Sequence, residues 1–145
     1  MGNKILKVPR YVPEGMVNYN GIYYDPESLN RCLDDRIKRK DCFVYMYRPQ
    51  KEREESKEGF FYNNVREIIG LVKTYDKEYF YIMIDQSVQT HMNFKNPVAM
   101  LSVLGGVMPG HNENYYTVFD ILRVEVVEED VLGVPRLKLG GKENE

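Results

Sequence analysis

Ser102 is the one serine of the chain set within an apolar segment, Met100-Leu101-Ser102-Val103-Leu104, and Gly105 and Gly106 follow it directly. A serine hydroxyl becomes a nucleophile when a neighbouring base takes its proton, and backbone N–H groups at the two glycines could then hold an oxyanion. The candidate bases are His91 and His111, which lie in separate polar stretches, so acyl transfer requires one of those loops to fold back onto Ser102. Neither histidine belongs to a closely spaced set with cysteine or carboxylates, so no metal site is expected. No GxGxxG or GxxxxGK[ST] pattern occurs, and no cofactor is expected. The acidic groups Asp34-Asp35, Glu54-Glu55 and Glu128-Glu129-Asp130 fall on stretches read as exposed, without an apolar pocket to drive their pKa values apart, and read as solvated.

Cys32 and Cys42 read as two reduced, packed thiols of a cytosolic setting. The sharper reading is a reactive Cys42 activated by Lys38, Arg39 and Lys40. The tyrosines alternate at Tyr45 and Tyr47 and again at Tyr79 and Tyr81, a spacing that puts each pair on one face of a strand and makes them candidates for partner contact. Residues 48–59 carry a balanced charge run with no apolar anchor until the next glycine, so a solvated loop is expected there, with Arg48, Lys51 and Arg53 as candidate binding residues.

These groups must be positioned by one domain. The chain has 145 residues, enough for a core without disulfides. Twenty basic and 22 acidic residues nearly cancel, which argues against nonspecific nucleic-acid binding. The longest apolar runs fall short of a membrane span, and the start lacks the apolar run of a signal peptide, so neither a membrane span nor secretion by that route is expected.

Asp25-Pro26-Glu27 is a helix start, and Leu29, Cys32, Leu33 and Ile37 recur on one face of a helix expected over about 26–39. Asn20-Gly21 reads as a tight hairpin turn before it. Cys42 to Tyr47 reads as a buried strand, Val65–Thr74 and Glu78–Asp85 as an antiparallel hairpin, and Tyr115–Glu128 as a long strand. Val98–Leu104 is left open between helix and extended chain, with Gly105-Gly106 expected to break regular structure. Gly70, inside a strand, marks a bulge or a close backbone approach. The expected class is α+β: a mostly antiparallel sheet or partly closed barrel with one main N-terminal helix. Residues 1–16 are set apart as an extension, 17–135 as the domain and 136–145 as a flexible tail.

The string Asn18-Tyr19-Asn20-Gly21-Ile22-Tyr23-Tyr24-Asp25-Pro26-Glu27-Ser28-Leu29, followed by a helix, resembles the opening of the head-maturation (prohead) proteases of tailed phages. The order after it is similar: a buried strand, a Gly-containing strand at Ile69-Gly70-Leu71-Val72, a paired strand, and a segment in which Ser102 would take the place of the nucleophile. The resemblance implies that the strand after the helix should lead into a catalytic histidine. This chain reads Tyr45-Met46-Tyr47-Arg48-Pro49 there, with no histidine.

The leading expectation is therefore a non-enzymatic phage-type structural or interaction protein, a catalytically dead relative of a prohead protease acting in virion assembly. Its partner would be a second copy of itself or a capsid component. The alternatives are a serine hydrolase using Ser102 with His91 or His111, and a small module that blocks a host enzyme.

Overall fold

The computed structural model describes residues 3–47, 68–85 and 94–139. The chain runs β1 (Asn3–Pro9), β2 (Tyr23–Tyr24), α1 (Pro26–Lys38), β3 (Phe43–Met46), β4 (Ile68–Tyr75), β5 (Tyr79–Asp85), β6 (Pro97–Val107), β7 (Tyr115–Glu128) and α2 (Glu129–Leu132). Seven strands form one sheet in the order β1-β5-β4-β3-β7-β2, with β6 also paired to β7. The pairings are antiparallel except for β2 and β3, which run parallel to β7. Because β6 pairs along nearly all of β7, β2 and β3 must share the opposite edge of that strand.

The α+β class stands, but the sheet is not closed into a barrel, which corrects that form of the expectation. The chain leaving β1 meets β6 only at a parallel bridge between Arg10 and Ala99. Pro13 has no N–H to donate and Gly15 turns the chain at φ +83°, so pairing stops there. Asn3–Pro9, set apart in the sequence reading, are a strand paired along their length with β5. Leu6 and Val8 face inward while Ile5 and Lys7 face solvent, the alternation of a half-buried edge strand.

The helix forms as expected and ends one residue early, and the short α2 joins it. The Asp25 carboxylate accepts the Ser28 N–H at 2.9 Å, and this bond holds the Asp25 pKa below the usual carboxylate value. Leu29 and Leu33 are buried against the sheet. The helix also closes a gap. Between Tyr116, where β2 stops, and Val124, where β3 begins, none of the described strands lies beside the edge of β7. The Ser28 hydroxyl accepts the Val118 N–H at 2.9 Å, and the Cys32 thiol lies 3.6 Å from the Val118 carbonyl as a donor. The Arg36 guanidinium grips Asp120 with both ends, at 2.7 and 3.1 Å, and holds that carboxyl below its ordinary pKa. Helix side chains thus satisfy backbone groups that a missing strand would leave bare.

The β4–β5 hairpin is present, and the Asp76 carboxylate organises its turn by accepting the Glu78 and Tyr79 N–H groups. Gly70 is a close approach, since a Cβ there would collide with the Met83 carbonyl. Gly105 and Gly106 do not break structure. They continue β6 to Val107, and a Cβ on Gly105 would stand 2.6 Å from the Thr117 carbonyl, so the missing side chain is what lets the two strands pair there.

Candidate functional site

Ser102 sits mid-strand on β6, half-buried, directly across from Arg123 of β7. Leu101 and Val103 pack on the core, so Ser102 points to the opposite face of the sheet with Met100 and Leu104. Cross-strand neighbours stand about 5 Å apart at Cβ, which among the described residues sets Arg123 beside Ser102 and Glu125 beside Met100. The Arg123 guanidinium lies 4.2 Å over the Tyr45 ring and 3.3 Å from the Glu125 carboxylate. Tyr45 pairs with Glu125 from the other side of β7. Tyr45 and Met100 therefore flank Glu125 across the sheet, and Ser102 stands beside Arg123, whose guanidinium reaches over to Tyr45. An arginine is not deprotonated in a protein and cannot act as a base.

His111 is not brought to Ser102. Its ring stacks on Tyr115 at 4.2 Å, in the connection beyond Val107, and the extended run from Ser102 to Val107 is itself about 16 Å long. Gly105 and Gly106 stand in the β6–β7 ladder opposite Val118 and Thr117. His91, Arg48, Lys51, Arg53 and the charged loop over 48–59 lie outside the described residues.

The tyrosines part company. Tyr45 is buried, with Arg123 over its ring, so it offers no contact surface. Tyr47 extends past β3 and donates its N–H to the Val126 carbonyl. Tyr79 and Tyr81 sit two strands away on β5, one under the Lys7 ammonium at 4.2 Å and one donating its hydroxyl to Asp76 at 3.0 Å. Cys42 is buried, and desolvation pushes its thiol pKa up to about 12, with Asp41 adding to the shift. A thiol held protonated in this way is a packing group, not a nucleophile. A thiol reagent added to the native protein is expected to leave Cys42 unmodified until denaturant is present; rapid native labelling at Cys42 by mass spectrometry would contradict this placement.

The sequence reading missed a surface on β7. Two irregularities interrupt its pairing with β6, one between the Ser102–Arg123 and Val103–Ile121 pairs and one between Leu104–Asp120 and Gly105–Val118. The extra residues are Leu122 and Phe119. Each bulge inserts one residue and shifts the alternation, so Val118, Ile121 and Val124 all face the core while Phe119 and Leu122 are more than half exposed. Leu104 is exposed to the same degree on the Ser102 side of β6. Consecutive apolar residues such as Phe119 to Leu122 carry no signal of which ones face outward until the bulges are placed.

No family model matches the chain, and no curated protein does. Among solved structures, the chain shares its fold with a phage protease of capsid assembly. That structure is the bacteriophage T4 capsid assembly protease, gp21, matched with a TM-score of 0.50 and 12% identity over 87% of this chain and 98% of that one. At that identity the likeness is one of fold.

Proposed function

We propose that this protein is a non-enzymatic component of phage virion assembly, built on the fold of a prohead protease and acting by contact with a second copy of itself or with a capsid component. The observation that carries the reading is made among the described residues: Arg123 stands across from Ser102, paired with the buried Glu125 and lying over the Tyr45 ring, and His111 is placed at the far end of the β6–β7 hairpin. The stretch after α1 that the resemblance expects to lead into a histidine reads Tyr45-Met46-Tyr47-Arg48-Pro49. The fold shared with a capsid assembly protease supports the phage setting.

A fluorophosphonate probe is expected to leave Ser102 unlabelled under conditions that label a known serine hydrolase. Labelling that disappears in Ser102→Ala would replace this reading with the hydrolase one.

Phe119, Leu122 and Leu104 support the adhesive half of the proposal, because apolar side chains clustered on one outer face favour protein contact. Light-scattering mass across a concentration series, alone and with capsid protein, is expected to rise for the native chain and to stay at the monomer value for the Phe119→Asp, Leu122→Asp double variant. Equal masses for the two proteins would remove this face from the proposal.

A further inference from the structure

A cavity of about 250 Å³ opens at the end of the core, between the segment that follows β1 and the first half of β6. Phe80, Ala99 and Leu101 give it an apolar base, and Met16, Tyr11 and Tyr19 line its walls. The two tyrosines are held in place. Their hydroxyls donate to the carbonyls of Val134 and Pro135 at 2.8 and 2.5 Å, and their rings stand 5.9 Å apart. The cavity is therefore formed before anything enters it.

Among the described residues, Arg10 is the one charged residue that lines this space. Arg10 continues the alternation of Leu6 and Val8, which turns it to the core face, and it is only 2% exposed. Its guanidinium lies 4.9 Å over the Phe80 ring and donates from Nη1 to the Asp76 carbonyl at 2.8 Å. A guanidinium has five N–H donors, and among the described residues no carboxylate comes within ion-pair distance of this one. Glu14 acts on it from further away and is itself bonded to the Asn30 amide at 3.0 Å. Burial pulls the Arg10 pKa below the usual arginine value despite Glu14, Tyr75 and Asp76. Buried cations are normally matched by a bonded anion, and among the described residues Arg10 is bonded to a carbonyl and not to a carboxylate, beside an open cavity.

We propose that the cavity is a binding site for an apolar or aromatic group bearing a carboxylate, with the carboxylate on Arg10 and the apolar body against Phe80, Leu101 and Met16. Two sources carry that chemistry: a free aryl-alkyl acid, or the C-terminal residue of a peptide. The proposal stands apart from the assembly reading and uses none of its residues.

Amide chemical shifts of the labelled protein would be followed while 3-phenylpropionate is added, with neutral 3-phenylpropionamide as the matched probe. The acid is expected to shift Tyr11, Met16 and Leu101 and to bind about tenfold or more tightly than the amide, the ratio that one charge-assisted pairing supports. Equal binding of the two probes, shifts confined to other regions, or no shift at millimolar acid would overturn the proposal. Arg10→Met should erase the difference between the probes. Since that variant risks unfolding, Leu101→Trp provides a second test by filling the cavity, and unchanged acid binding in it would also overturn the proposal. A tripeptide ending in phenylalanine, as free acid and as amide, separates the sources. Tighter binding of the peptide acid than of 3-phenylpropionate assigns the site to a chain terminus, and binding of the small acid only assigns it to a free acid.

Discussion

Gly70→Ala is expected to lower the melting temperature by about 10 °C, equivalent to a loss of about 3 kcal/mol for a domain of this size. The reason is backbone against backbone. Gly70 lies in β4 between Val44 of β3 and Ile84 of β5, and a methyl there would run into the Met83 carbonyl, with Ile82 and Ile84 side chains 3.1 and 3.2 Å away. A flexible side chain could swing aside, but a carbonyl in the middle of a ladder moves only if the two strands separate. Gly106→Ala is the matched control, because its methyl would meet the Phe119 ring at an ordinary 3.5 Å. Thermal denaturation followed by circular dichroism reads both. Similar melting temperatures for the two variants would show that β4 and β5 have room to part.

Phe80→Ala is expected to cost about 3–5 kcal/mol, the range for deleting a fully buried phenylalanine. Phe80 is completely buried, packs with Tyr75 at 6.4 Å between ring centroids, and carries the Arg10 guanidinium on its face. Its loss would empty the core beside Val8 and Ile82 and take away the surface against which a buried cation rests. In urea denaturation the midpoint should fall with an unchanged slope, since the same surface is exposed on unfolding. A loss below about 1 kcal/mol would mean that neighbours collapse into the space, and would take Phe80 out of the core's energetics.

Elements whose signals are local were legible in the sequence. The Asp25-Pro26 start and the three- and four-residue spacing of Leu29, Cys32, Leu33 and Ile37 place α1 within one residue of its observed end. The β4–β5 pairing and β7 follow from β-branched and aromatic density beside short turns. The Asn18-to-Ile22 turn is also there, closed by the Asn18 carboxamide accepting the Asn20 and Ile22 N–H groups, although the strand after it pairs with β7 and not with its own sequence neighbour. The role of Asn3–Pro9 was not legible, because nothing near it in sequence reveals that β5, more than seventy residues on, is its partner.

The candidate site divides in the same way. That Ser102 lies in an apolar segment and that no histidine stands in Tyr45-Met46-Tyr47-Arg48-Pro49 are properties of the sequence. What stands across from Ser102 was decided by register: Arg123 faces Ser102 and Glu125 faces Met100 only because β6 and β7 pair as they do, and Tyr45 joins them only because β3 runs parallel on the other edge of β7. The outward turn of Phe119 and Leu122 depends on two bulges, and the placing of Arg10 beside a cavity depends on where a proline-containing segment leaves β1. Helix spacing and turn chemistry act over a few residues and are written in the order of the chain. Register, edge closure and the meeting of distant side chains are set by long-range backbone pairing, whose free energy is shared over a whole sheet and has no local sign in any one residue.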